Sequence, residues 1–472
     1  MLQTLKNAWK TPDIRKKILF VLFILLLYRI GTVIPVPFID HNKLVGTGGE
    51  SFVTSITGIF SYLDLLSGGA LAQGTLFALG VSPYINASII VQLLCVAIKP
   101  LERKSKEGEE GKKFLNALTR FITVIIAVVT ALGYYFILRN YGCLKSEASS
   151  GNLAWFYAIV IILCFCAGAA LVMWLAEKIN ENGLGNGISL ILFANIISTL
   201  PTVVYKLVLL FQTGASKTTG KVSAIVWASV LTAVIVIGLI ALTVFIIFVT
   251  GSERRIPIQY AKRTVGRKMY GGQNSNLPIK LNMSGVMPII FASSICTLPA
   301  TIMMFFNVKS ASAVKNPSFW NRLYDFCDTN NWFYAVSLFV LIIAFSYFYI
   351  QISFNPIEIS NNLKKNGGMI PGIRQGRPTA EFISRIVSRI TLAGAIFLGI
   401  VALLPIIVKA ALFVPGVSVI VSGTGYAAYL SYFTSAFTFG GTSILIVVGV
   451  IEETARELES QLSMRSYKGF LD

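Results

Sequence analysis

The stretch LLSGGALAQGTLFALGVSPYINASIIVQLLCVAI, residues 65–98, carries no charged side chain across 34 positions. As one continuous helix at about 1.5 Å per residue it would run about 51 Å, whereas the hydrocarbon layer of a membrane is about 30 Å thick. It must break. Gly68, Gly69, Gly74, Gly80 and Pro83 supply the breaks, so the run reads as a short half-helix over about 58–68, a glycine-rich return and a full span from about 76. Interrupted apolar segments are tolerated at membrane depth only where protein or a water-filled cavity surrounds them, which makes this one a pointer to a pathway. A glycine-rich loop outside the bilayer is the other reading that these residues allow.

The rest of the chain places that segment in a polytopic membrane protein. Its 472 residues are 55% hydrophobic and only 13% charged, which no soluble surface matches. Apolar windows near 18–34, 76–98, 121–138, 154–176, 187–205, 222–249, 286–306, 332–352, 390–408 and 432–451 predict ten transmembrane helices. The basic N-terminus leads into the first window with no small-residue cleavage site, so it reads as a retained anchor. Of the 40 Lys and Arg residues, 29 fall in alternate gaps between windows, seven of them in 254–280 and six in 364–389, against 10 in the intervening gaps. That positive-inside bias predicts cytosolic termini. The expected organisation is an N-terminal half over 1–205, an external hinge loop at 206–221 and a C-terminal half over 222–472 with cytosolic loops at 251–284 and 354–390. A second uncharged run, 410–451, contains Pro415, Gly416, Gly423 and Gly425 and has room for an extra interfacial or re-entrant element.

Much chemistry is missing. Arg29 is the one ionisable group inside a window, near its outer end, where it is expected to snorkel; ion-coupled transporters mark their path with more. Four of the six cysteines lie in apolar runs, leaving only Cys143 and Cys327 in external loops as a conceivable disulfide. His41 is the single histidine, so neither a His-based metal site nor a Ser-His-Asp triad has material. Gly214, Gly220 and Lys221 imitate a Walker A loop poorly, with Val222 where Ser or Thr would bind magnesium. The GLGNG string at 183–187 follows no strand and suits the start of a helix. No catalytic residue, metal or cofactor is expected, and any ATP or GTP hydrolysis falls to a partner. The basic loops suit anionic lipid, nucleic acid or an acidic protein, or serve as topogenic charge alone. Residues 251–284 interleave basic residues with β-formers and predict a protruding hairpin. Turn residues in 367–378 display Arg374 at a loop tip. A small-solute transporter or lipid flippase remains the competing class, and predicts a discrete saturable site.

Nearly the whole chain resembles the bacterial SecY family, the channel subunit of the general protein-secretion translocon. The resemblance rests on SGGAL at 67–71, FALGVSPYINASIIVQLL at 77–94, KEGEEGKKFLNALTR at 106–120 and NENGLGNGISLILF at 180–193. It continues through ERRIPIQYAKR at 253–263, LPIKLNMSGVMPIIFASSI at 277–295, FNPIEISNNLKKNGGMIPGIRQGRPTAEF at 354–382 and FGGTSILIVVGV at 439–450. It implies an all-α fold of ten transmembrane helices in two inverted, pseudo-symmetric halves, with the half-helix as a plug containing Phe60, Leu63, Asp64, Leu65 and Ser67. Asp64 and Ser67 would then suit a water-filled vestibule. It implies a pore ring of Val81, Ile85, Ile188, Leu192, Ile290 and Ile446, and a lateral gate that offers Asn86, Ser88, Gln92, Ser293 and Ser294. The basic loops become docking surfaces for the motor ATPase SecA or a ribosome, through Arg374 and through Arg254, Arg255, Lys262, Arg263, Arg267 and Lys268. SecE and SecG subunits, signal-peptide-bearing preproteins and membrane lipid complete the implied partners, at the bacterial plasma membrane. Two residues depart from the family pattern: Gln375 replaces a Pro after Arg374, and Phe38 replaces a Gly.

Overall fold

The computed structural model describes residues 6, 8–45, 59–145, 153–216, 222–260, 263–265, 268–270, 274–305, 318–327, 331–412 and 441–468. Proline opens two of the early helices: α1 (Pro12–Gly31) and, after α2 (His41–Val45) and α3 (Ile59–Ser67), α4 (Ser82–Ala97). A proline in the first turn removes an N–H that the helix leaves unbonded there anyway. α5 (Lys99–Lys106) bends away from α4 by 108°, since Lys99, Arg103 and Lys104 cannot follow the apolar α4 into hydrocarbon. Four long helices come next: α6 (Glu109–Asn140), α7 (Ala154–Asn182), α8 (Gly187–Ser216) and α9 (Val222–Thr250). Strands β1 (Glu253–Tyr260), β2 (Arg263–Val265), β3 (Lys268–Tyr270) and β4 (Asn274–Lys280) precede α10 (Met287–Phe305), α11 (Phe319–Cys327), α12 (Trp332–Ser353) and α13 (Pro356–Lys365). The two-residue β5 (Gly368–Met369), α14 (Arg377–Leu412) and α15 (Thr442–Lys468) complete the order.

Each of the ten windows overlaps one of these helices, the last only over 442–451, since 432–440 lies outside the described residues. Among the described residues, five are by themselves long and apolar enough to cross a membrane, or six if the bent α4–α5 pair counts as one span. Large apolar side chains face outward on them, Phe121 at 66% exposure and Leu163 at 61% among them, as lipid contact allows and water does not.

Three boundaries differ from the sequence expectation. Helix α4 starts at Ser82, not near 76, because turns run from Gly68 to Gly80 and all four glycines in them hold positive φ. Helix α8 continues to Ser216, beyond the expected limit at 205, so the connection narrows to 217–221, outside the described residues. The 354–390 segment is mostly helical, α13 and the start of α14, around a short turn. Lys262, Arg267 and residues 413–440 of the uncharged 410–451 run also lie outside the described residues.

Contacts gather the chain into two compact units. In the first (Met1–Lys206, Ser293–Tyr334, Val450–Asp472), Tyr134 meets Phe165 edge-on at 5.1 Å amid Leu44, Leu71, Ile137, Leu138 and Ile161. Gly168 lets α7 approach the return segment there: a Cβ on it would lie 1.9 Å from the Leu76 carbonyl oxygen. In the second (Leu207–Ala292, Ala335–Gly449), Ile256, Ile258 and Ile279 of the sheet pack on Ile350, Leu363 and Ile383. The Cys143–Cys327 disulfide is not formed; both are free thiols. Burial pushes the Cys143 thiol up from its ordinary value, so it stays protonated near neutrality.

Candidate functional site

The broken segment is held together by its own polar groups. Asp64 Oδ1 accepts from the Ala72 N–H at 2.8 Å, and the Asp64 carbonyl accepts from the Gly69 N–H and the Ser67 hydroxyl at 2.9 and 3.0 Å. Ser67 Oγ accepts in turn from the Leu71 N–H at 3.1 Å. These two residues therefore tie the glycine return to α3. Ser67 itself is buried, at 3% exposure. Leu63 and Leu66 line a cavity, Leu65 is half-buried, and Phe60 lies within α3.

That cavity, about 80 Å³, lies within the first unit between α3, α4, α6 and α10. Apolar walls from Leu63, Leu66 and Leu71 face Ser82, Asn86, Thr130, Ser294, Thr297 and Thr301. Asn86 Oδ1 is buried with no hydrogen-bond partner among the described residues. The structure thus brings Asn86 and Ser294 together. Ser293 is buried nearby, while Gln92 Nε2 donates to Ser88 Oγ at 3.2 Å, a pair along α4 instead of across to α10. Sequence reasoning missed Thr130, Thr297 and Thr301. A signal existed: Ser294, Thr297 and Thr301 follow the three- and four-residue spacing of one helix face.

Four residues of the expected ring lie in the first unit. Val81 and Ile85, at the start of α4, are 2% and 3% exposed; on α8, Leu192 is buried and Ile188 half-buried. Ile290 and Ile446, both buried, belong to the second unit. The GLGNG string does open a helix: Asn180 Oδ1 accepts from the Gly187 N–H at 2.7 Å and Asn186 Oδ1 from Ile188 N–H at 3.1 Å, capping α8. Arg29, expected to snorkel, is half-buried. Its Nη1 is buried, with no hydrogen-bond partner among the described residues, beside Gly68 at the end of α3.

The two basic loops meet in one sheet of the second unit. β1 pairs antiparallel with β4, Arg254 opposite Ile279 and Arg255 opposite Pro278, and its other edge pairs with β5 through Gln259 and Tyr260. Ile256 and Ile258, two apart, are buried on one face of β1; Arg255 lies on the opposite face, and Arg254, on the same face as the isoleucines, is exposed near the start of the strand. Arg263 and Lys268 sit on β2 and β3, which pair with each other as a separate two-stranded sheet. Arg374 is exposed on the turn after β5. The turn is fixed on every side: Thr379 Oγ1 donates to the Arg374 carbonyl at 2.8 Å, Ser360 Oγ to the Gly376 carbonyl at 2.7 Å, and Gln375 Nε2 to the Gly368 carbonyl at 3.2 Å. The last bond is one that proline at 375 could not make. What results is a basic surface on which Arg374 is exposed, Arg255 pairs with Glu253 at 2.8 Å and Arg377 with Glu381 at 3.0 Å.

The SecY family profile matches residues 75–455. The chain belongs to the SecY family. Protein translocase subunit SecY of Streptomyces coelicolor is 41% identical over 475 residues, covering 100% of both chains. The Mycobacterium tuberculosis subunit of the same name is 39% identical at the same coverage. Among solved structures, a protein-conducting channel aligns with TM-score 0.59 at 16% identity, over 94% of this chain and 91% of that one. Sec61 in a canine ribosome-channel complex aligns with TM-score 0.57 at 16% identity, over the same shares. The SecY-family match begins past α3 and takes in α4, α8, α10 and the whole basic sheet. The chain is accordingly a multi-pass membrane protein of the SecY fold.

Proposed function

We propose that this chain is the protein-conducting subunit of a bacterial plasma-membrane translocon, passing unfolded secretory chains outward and releasing apolar segments sideways into lipid. The observation that carries this reading is the full-length match to relatives named protein translocase subunits. In this reading α3 is the plug, and Val81, Ile85, Ile188, Leu192, Ile290 and Ile446 form an apolar constriction that seals without binding its cargo. Asn86, Ser88, Gln92, Ser293 and Ser294 contribute the polar face of the lateral gate. Support comes from the cavity that Asn86 and Ser294 line together beside the plug leucines, with Asn86 Oδ1 left without a partner among the described residues.

Both termini face the cytosol in this scheme, and so does the basic sheet. Arg374, with Arg254, Arg255, Lys262, Arg263, Arg267 and Lys268, docks the SecA motor or a translating ribosome, whose surfaces supply the complementary anionic groups. The chain is a passive conduit and not itself an enzyme; SecE and SecG complete the channel. Docking and signal-sequence intercalation each bind the open state better and so shift the population toward it.

Reconstitution with SecE, SecG, SecA and ATP in sealed vesicles tests the proposal, with protease protection of a preprotein as readout. ATP-dependent protection is the expected outcome. No protection with all partners present, or saturable uptake of a small solute instead, would overturn it.

A further inference from the structure

We infer that Tyr28, Arg29 and Asn195 form a latch on the C-terminal turn of α3, so that α1 and α8 set how firmly the resting channel is sealed. This rests on the reading of α3 as a plug. The last carbonyls of any helix lack intrahelical partners. Here the Leu66 carbonyl accepts a 2.7 Å bond from Asn195 Nδ2, and the same amide nitrogen donates to Tyr28 Oη at 2.9 Å. Asn195 is fully buried; its Oδ1, like the buried Nη1 of Arg29, has no hydrogen-bond partner among the described residues. Both atoms crowd the place a Cβ on Gly68 would take, at 2.8 and 2.9 Å, with Ser198 Oγ at 3.1 Å. Gly68, at φ 71°, is the residue that lets the turn settle into this polar ring.

Charge complements geometry. A helix C-terminus carries roughly half a negative charge, which stabilises a guanidinium placed beside it. An arginine inside a membrane span is costly unless something holds it, and the end of α3 is what Arg29 lies against. When α3 leaves, the Asn195 amide loses its Leu66 acceptor and Arg29 loses the helix end, stranding a polar group and a charge in apolar surroundings. Tyr28, Arg29 and Asn195 are thus positioning residues that favour the docked plug.

The test is resting ion conductance of the full chain with its partner subunits in planar bilayers, without preprotein. Asn195→Leu is expected to raise the leak about fivefold, the factor that one net hydrogen bond of ~1 kcal/mol carries, and Arg29→Met by a similar factor, since a cation beside a helix C-terminus contributes up to about 1 kcal/mol. Arg29→Lys retains the charge and stays near the parent. Gly68→Ala pushes a methyl against Asn195 and Arg29; it also raises the leak, and carries the test where Asn195→Leu fails to accumulate. A chain lacking residues 59–67 separates the two ideas. If that deletion leaks while Asn195→Leu, Arg29→Met and Gly68→Ala do not, the latch is wrong and the plug stands. If the deletion itself leaves conductance unchanged, the plug reading has failed and the latch with it.

Discussion

Phe38 shows how a single substitution away from a family pattern registers in the backbone. Its φ of 68° is the one positive value at a non-glycine among the described residues, and its ring rests on Tyr157 at 4.5 Å between centroids. Left-handed backbone costs a side-chain-bearing residue about 1–2 kcal/mol, which the aromatic contact offsets. Truncating the ring isolates the strain: Phe38→Gly is expected to be more stable than Phe38→Ala by about 1 kcal/mol, the reverse of the usual order. Paired thermal melts in detergent measure this, and equal melting points would remove the strain argument. Arg374 was legible as an exposed loop residue from the turn chemistry around it. Legibility stopped at Gln375, whose bond to the Gly368 carbonyl depends on a chain reversal that no local signal encodes. Arg374→Glu is expected to abolish motor-driven preprotein protection while changing stability by less than about 0.5 kcal/mol, as exposed substitutions do. Intact export by that variant would remove Arg374 from the docking surface.

At the scale of elements, the hairpin and the half-helix were both readable, for different reasons. Basic residues interleaved with β-formers in 251–284 announced the hairpin, and the length of the 65–98 run demanded a break. The start of α4 was misplaced because hydropathy does not distinguish a helix from an apolar series of glycine turns; positive φ at Gly80, a backbone property, sets it at Ser82. Nothing local announced that β5 would join β1. That pairing makes the docking surface depend on buried side chains. Ile258→Ala, which changes no charge, is expected to cost about 2–4 kcal/mol of local stability and to weaken binding of the motor along with it. Titrating labelled SecA onto the variant in nanodiscs measures the loss, and unaltered affinity would show that the sheet is not what presents the arginines.

At the scale of the whole molecule, charge distribution carries the orientation. With 29 basic residues in one set of gaps against 10 in the other, a cysteine placed at 272 is expected to react with an impermeant thiol reagent only from the cytosolic side, and one at 218 only from outside. Labelling in a background with the six native cysteines replaced reads this directly, and the opposite pattern would invert the topology. Sequence by itself determined the membrane class, the broken segment, the basic loops and, through motif order, the family, because composition, run length and charge sign are sums over local residues. Only the tertiary structure decided that Arg29 turns inward to the end of α3, that Ser67 is buried in its own turn, that Asn86 meets Ser294 in one cavity, and that two distant loops form one sheet. Each of those depends on which distant group satisfies a buried polar atom, and that is settled when helices pack and not by any residue's neighbours in the chain.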